Sequence, residues 1–285
     1  MKSVILIGNG LNRTLGVKSW KEIIDMISFK TSFRTDDSFL NVLSFDCQQI
    51  EALKRKQPIN LIDLVLKETK VKRNKIVKSG LYKQFTDLNF DVFLTTNYGY
   101  EIEYALGFDD NTDVLKNMCT DNRETKRSFK RANIINDKKV YHIHGEERFP
   151  DTVCIGMQHY IDNIMQIKGK INTIYQMNNK NNFSVELKQA LKGSWVEHIF
   201  FSNLYIVGFG LDKSEIDIWW LLAYRASLIA QNLIDKNTIR YYCPDEDAKA
   251  LYSYLHSLQI EVDPIYVVNN DWKNSYSNIA KMIIV

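Results

Sequence analysis

The sequence contains no C-x-x-C pair. Its four cysteines, Cys47, Cys119, Cys154 and Cys243, stand far apart, so neither a zinc knuckle nor a disulfide framework can be read from them. An excess of charge of one sign is also missing. The 37 lysines and arginines face 34 aspartates and glutamates, a net +3, which excludes nucleic-acid binding by bulk charge and leaves only an indirect contact. No long apolar run occurs. The opening MKSVILIGNG holds one lysine and a short apolar stretch before glycine, too little for a signal peptide or a membrane span. Only four prolines interrupt the chain, and it has no internal repeat or low-complexity tract. These absences predict a soluble, cytoplasmic protein that folds without a disulfide or a metal and does not engage a membrane. With 285 residues, 45% of them hydrophobic, the chain can bury a large core as one domain or as a domain with a subdomain.

Val4-Ile5-Leu6-Ile7 stops at Gly8, the mark of a buried parallel strand. Ser19 with Glu22 three residues on, ahead of Ile23, Ile24 and Ile27, makes a capping box in front of an amphipathic helix through about residue 29. From about 30 to 88 the pattern is helical, with Leu61, Leu64, Val65 and Leu66 after Pro58, and this stretch reads as a helical insertion. Residues 91–96 and 139–144 read as a second and a third buried strand, and 178–182 as a polar loop. Residues 204–207 form a fourth strand, followed by a helix over 214–231 with Ile218, Trp219, Leu222 and Ala226 on one face. Residues 238–243 and 261–268 are two further strands with helices after them. Such alternation predicts an α/β fold: a Rossmann-like, doubly wound parallel sheet with a helical insertion, in a single domain over 1–285.

In an open parallel sheet, ligands meet the carboxyl ends of the strands near the point where strand order reverses. Gly8-Asn9-Gly10-Leu11-Asn12-Arg13 is a glycine turn whose backbone can approach a pyrophosphate, with helix N–H groups behind it and Arg13 as a bidentate phosphate contact. Arg13 replaces the third glycine of G-x-G-x-x-G, and a purely structural turn reads the same way. Thr95-Thr96-Asn97-Tyr98 follows the second strand; Asn97 either faces a ligand or caps a helix beginning near Tyr100. In His142-Ile143-His144-Gly145, His142 reads as a satisfied core side chain and His144 as functional. Gly208-Phe209-Gly210-Leu211-Asp212 suits a ribose or an adenine, while Asp212 reads equally well as a charge favoured at a helix N-terminus.

Taken in this order, Gly-Asn-Gly-Leu-Asn-Arg at 8–13 with Ser19-Trp20, Thr-Thr-Asn-Tyr at 95–98 with Ile102-Glu103, His-Ile-His-Gly at 142–145 and Val-Gly-Phe-Gly-Leu-Asp at 207–212 resemble the SIR2-like family. They span about 200 of the 285 residues. The resemblance is to its zinc-less bacterial anti-phage NADase branch, and the opening segment also resembles the AbiH abortive-infection family. It implies an NAD site in which Asn97 and His144 act on the ribose beside nicotinamide. Gly8, Asn9, Gly10, Asn12, Arg13, Thr96, Tyr98, Gly208, Gly210, Leu211 and Asp212 would line that site. It further implies a homo-oligomer or a HerA-like ATPase partner, or another neighbouring-gene product, that restrains the activity.

The expected reaction is hydrolysis at the anomeric carbon. The pyridinium leaves as neutral nicotinamide without a general acid. His144 would accept a proton from a ribose hydroxyl or from water, with the ordinary histidine pKa near 6.5, and Asn97 would orient water or ribose. The sequence departs from the family at two places. It cannot build the four-cysteine module of the deacetylases, and Gly99 stands where the family has an aspartate two residues after the asparagine. Glu101 or Glu103 could compensate, although an exposed helix face is the plainer reading of both. A non-catalytic nucleotide-binding subunit or scaffold of a defence complex is the alternative. A dehydrogenase is disfavoured by the missing third glycine and by the lack of an acidic residue about 20 positions on. Basic stretches at 67–78 and 123–131 read first as solvated helix faces, and Trp219-Trp220 as core or as an oligomer contact.

Overall fold

The computed structural model describes residues 2–31, 41–56, 60–109, 116–117, 128–176 and 182–283. In chain order the elements are β1 (Ser3–Ile7), α1 (Gly10–Arg13), α2 (Trp20–Thr31), α3 (Asn41–Lys54), α4 (Leu61–Thr69), α5 (Arg73–Ser79), α6 (Leu81–Thr86), β2 (Val92–Thr95), α7 (Glu101–Ala105), β3 (Lys116–Asn117), β4 (Asn133–Ile135) and β5 (Lys138–His142). The second half holds α8 (Met157–Gln176), α9 (Phe183–Leu191), α10 (Trp195–Phe201), β6 (Asn203–Val207), α11 (Ile216–Ala230), β7 (Ile239–Pro244), α12 (Asp245–Ser257), β8 (Glu261–Ile265) and α13 (Trp272–Met282). Cys119, most of the basic stretch 123–131 and most of the polar stretch 178–182 lie outside the described residues. Among the described residues no helix is long and apolar enough to cross a membrane.

The strands form one sheet in the order β3-β4-β5-β2-β1-β6-β7-β8. The six from β5 to β8 run parallel, and β4 and β3 pair antiparallel at one edge. The fold is therefore α/β with a mostly parallel sheet, consistent with a Rossmann-like architecture. Numbered in chain order, the parallel strands lie as third, second, first, fourth, fifth and sixth. That order places the reversal, where dinucleotide folds hold ligand, between β1 and β6.

The antiparallel edge corrects the expectation of a wholly parallel sheet. Ile135 pairs with Lys138 around Asn136 and Asp137, at φ 49° and 63°, and such a two-residue left-handed turn folds the chain directly back on itself.

Alternation in β1 shows why both faces of the sheet are covered. Val4 and Leu6 enter one core with residues of α8 to α12, while Ile5 and Ile7 enter the other with residues of α5, α6, α7 and α13. All four are fully buried, as a central parallel strand requires. The helical stretch divides between two layers. Helices α5 and α6 pack on the sheet, whereas Ile23, Ile27, Phe45, Leu61 and Val65 of α2, α3 and α4 pack with Tyr98, Val153 and Ile155, on loops that follow β2 and β5. The capping box forms as read: Glu22 N–H donates to Ser19 Oγ, and Ser19 N–H donates to Glu22 Oε2 at 2.7 Å. The helix opened by the first glycine turn is shorter than expected, the single turn Gly10–Arg13, so the longer capped helix α2 comes only after a further loop.

The glycines of the two turns serve first to let the turns touch. Gly8 N–H donates to Val207 O at 3.0 Å and Gly10 N–H to Gly208 O at 2.7 Å. A Cβ on Gly10 would lie 2.2 Å from Tyr276 Oη and 2.8 Å from Gly208 O, and one on Gly208, at φ +64°, would lie 2.6 Å from Leu11 Cδ1. Gly210 meets nothing within 4 Å. Gly208→Ala is therefore expected to lower stability by at least about 1–3 kcal/mol, and Gly210→Ala by no more than about 0.5 kcal/mol. Urea unfolding of the two variants compares these values directly, and equal losses would contradict the packing account.

Candidate active site

A cleft of about 930 Å³ opens over the carboxyl ends of the parallel strands, within the size range of small-molecule sites. Along its floor run Asn9, Gly10, Asn12 and Arg13 after β1, Thr96, Asn97 and Tyr98 after β2, His144 after β5, and Gly208, Gly210 and Asp212 after β6. The first turn of α2 and residues 241–247 and 270–276 supply further walls. Eleven of the thirteen residues expected at the site thus share one cavity. Gly8 and Leu211 do not line it. Gly8 lies beneath, its carbonyl accepting from Asn97, and Leu211 is a core residue at φ 44°. Arg13 is exposed, so its guanidinium is available to an anion. With α1 only one turn long, an anion here would rest on that guanidinium more than on a helix dipole, which acts over a full helix end.

Asn97 is held from three sides. Its backbone N–H donates to Thr95 Oγ1 at 3.1 Å, and its side-chain amide donates to Gly8 O at 3.4 Å and to Tyr82 Oη at 3.3 Å. Its carbonyl accepts from His142 Nδ1 at 2.9 Å. It does not cap α7, whose N-cap is Tyr100. Tyr82 in turn donates to Asn12 Oδ1 at 2.6 Å, and Asn12 donates to Glu101 Oε1 at 3.1 Å. A buried chain of four polar side chains therefore joins the loops after β1 and β2.

Glu101 and Glu103 correct the reading of an exposed helix face, because they are only 1% and 0% exposed. Glu103 Oε1 meets His142 Nε2 at 2.8 Å and accepts from Asn133 Nδ2 at 2.9 Å. Burial opposes the charge on His142, but Glu103 and Glu146 outweigh it and push its pKa up to about 9. His142 is thus a satisfied core residue and an imidazolium that fixes the Asn97 carbonyl. Burial pushes Glu101 up to about 7. A Cβ at Gly99 would lie 2.4 Å from Glu101 Oε1; glycine there is what lets the Glu101 carboxyl fold back.

His144 sits in a second cluster. Its Nε2 lies 3.3 and 3.2 Å from the two oxygens of Asp217. Those oxygens also accept from Ile218 N–H at 2.8 Å and from Asn163 Nδ2 at 3.3 Å. A carboxylate anchored in this way fixes the tautomer and the ring plane of its histidine. Nδ1 lies 3.7 Å from Glu215 Oε2, and Tyr160 packs against the ring at 4.8 Å between centroids. Burial disfavours the imidazolium, yet Asp217 and Glu215 raise the His144 pKa. The ordinary value expected from the sequence is thereby corrected upward. Asp212 accepts from Ser214 N–H at 2.8 Å and precedes α11, whose first-turn acid is Asp217.

His144, Glu215 and Asp217 bring three potential ligand atoms within 4.8 Å of one another, a donor set compatible with a hard divalent cation. Asp217, however, already accepts from three donors, which suits an orienting group better. Sequence reasoning missed Tyr82, Glu215 and Asp217. A Glu-x-Asp pair ahead of an apolar helix looks like an ordinary acidic first turn, and nothing local marks Tyr82 as a partner of residues 15 and 70 positions away.

The buried charges set a pH dependence of stability. A histidine whose pKa rises on folding adds stability that is complete below its unfolded pKa and is lost as the pH climbs through its folded pKa. For His142 that window runs from 6.5 to about 9, and the shift corresponds to about 3 kcal/mol. Denaturant unfolding is expected to show stability falling across this interval, with the His142 ring titrating near its upper end by NMR. Stability that rises from pH 6.5 to 9 would contradict the pairing.

No protein-family model matches the chain and no curated protein is detectably similar to it, so the chemistry of the cleft rests on its own side chains.

Proposed function

We propose that this protein binds NAD in the cleft and hydrolyses its nicotinamide–ribose bond. The observation that carries the reading is convergence: Asn97 and His144 line the same cavity as two glycine turns that meet where the strand order reverses, the place where nucleotide folds hold pyrophosphate. Arg13 and the backbone of the first turn would take the pyrophosphate, and Gly208, Gly210 and Asp212 the adenosine side. Asn97 would orient the reacting ribose or the water, and His144 would accept a hydrogen bond from one of them. Asp217 fixes the His144 ring for that task, as a carboxylate does for the histidine of a catalytic triad. The nicotinamide needs no protonation to leave, so the site needs no general acid.

Depletion of NAD would serve abortive infection against phage, in the cytoplasm. An unrestrained NADase would poison its own cell, so we place its control in self-assembly or in a neighbouring-gene partner such as a HerA-like ATPase. A stable monomer by light scattering, with and without such a partner, would contradict that control.

Nicotinamide release from NAD by the purified protein, with the neighbouring gene product added in a parallel series, is the direct test. Asn97→Ala and His144→Ala, each checked for folding by circular dichroism, are expected to lower release by about 100-fold or more. Full activity in either variant would remove that residue from the mechanism. NAD binding without release in either series would instead favour a non-catalytic nucleotide-binding subunit.

A further inference from the structure

Glu215 is a glutamate at the N-cap of α11 whose side chain does not cap the helix. It is 8% exposed and lines the cleft, and among the described residues its Oε2 has no hydrogen-bond partner. An orphaned carboxylate oxygen in a buried position is costly, and on the wall of a cavity it is an acceptor waiting for a donor from the ligand. His144 Nδ1 lies 3.7 Å from it. That gap is too wide for a direct hydrogen bond, so each atom can take a separate O–H from a bound polyol and water. Asp217 occupies the other His144 nitrogen, leaving Glu215 Oε2 and, in the neutral ring, His144 Nδ1 as acceptors on the cleft side.

We propose that Glu215 is the general base of the cleft, taking the proton of the water that attacks the anomeric carbon, while His144 accepts a ribose hydroxyl. This assignment rests on NAD hydrolysis as the reaction. The C–N bond breaks with its electron pair moving to the pyridinium ring, which leaves as neutral nicotinamide. The water oxygen forms the new bond to the anomeric carbon. Its proton passes to Glu215 Oε2 and then to solvent, and no oxidant or reductant is required.

Burial holds the Glu215 carboxyl near 7, with Asp217 and Asp212 raising it and His144 opposing them, a range suited to a base that works at neutral pH. The titratable groups that face it are His144, Asp217, Asp212, Tyr98 and Tyr160.

The test uses the full chain with NAD and sodium azide, because azide can capture the ribosyl cation without a base whereas water cannot. Glu215→Gln is expected to lower nicotinamide release about 100-fold with little change in KM. Azide should restore release in that variant and yield ADP-ribosyl azide, and Glu215→Asp should recover part of the hydrolysis. A second measurement needs no variant: in the wild type, the ratio of azide product to hydrolysis product should rise as the pH falls below 7. A constant ratio would overturn the assignment, as would wild-type turnover by Glu215→Gln. Loss of wild-type activity in EDTA with recovery on adding Mn2+ would also overturn it, by making the cluster a metal centre. If the wild type releases no nicotinamide under any condition, the hydrolysis reading itself fails, an outcome distinct from an active enzyme that ignores Glu215.

Discussion

The contact on which this structure depends is the one between the loops after β1 and β6, closed by the 2.7 Å hydrogen bond from Gly10 N–H to Gly208 O. Parallel strands diverge from their loops, and the reversal of strand order leaves a crevice that other side chains could fill. Here glycine on both sides lets backbone meet backbone. The contact makes a floor out of what would be a gap, and it fixes Asn9, Asn12 and Arg13 relative to the chain after β6. The third loop is tied to the same floor, because Asn97 donates to the carbonyl of Gly8. Three strand ends are thereby held as one surface.

On that surface the chain uses the same three chemical groups twice, to different ends. His142 meets the Glu103 carboxylate through one ring nitrogen and donates to the Asn97 carbonyl through the other, Glu146 also favours its charge, and its ring is buried away from the cleft. It carries a charge, and its effect is to position Asn97. His144 lies between Asp217 and Glu215, but only the Asp217 side is closed by hydrogen bonds. An unsatisfied buried polar atom costs stability unless a ligand completes it. Glu103 Oε2 and Glu215 Oε2 are both buried without a hydrogen-bond partner among the described residues, but only Glu215 lies on the wall of the cleft; that placement, more than the presence of histidine, distinguishes the two clusters.

Much of this was legible in the sequence, and what was not has a common cause. The β1 run, the Ser19–Glu22 capping box and the glycine turns are signalled by residues within a few positions of one another, and all three form. The Asn136–Asp137 turn carried an equally local hairpin signal, but it was masked by the stronger alternation of strand and helix on either side. Glu101 and Glu103 failed differently. Acids two apart at a helix start read as solvated; here Glu101 meets Asn12 of the loop after β1, and Glu103 meets Asn133 and His142 of neighbouring strands. Asn12 and Glu101 are 89 positions apart, and His144 and Asp217 are 73 apart. No periodicity connects residues at such separations; the sheet order does.

Gly99 and the carboxyl of Glu101 share one small volume. Where the SIR2-like pattern carries an aspartate, this chain has no side chain at all, which taken alone reads as a lost function. The space is filled by the carboxyl of Glu101, which lies 2.4 Å from the point where a Cβ on residue 99 would stand. An aspartate at 99 would collide with that carboxyl and set a second negative charge beside it in a buried site, where like charges are strongly unfavourable. A side chain at 99 would require the Glu101 carboxyl to shift from its place, from which it accepts from Asn12. The carboxyl beside Asn12 is thus supplied from position 101.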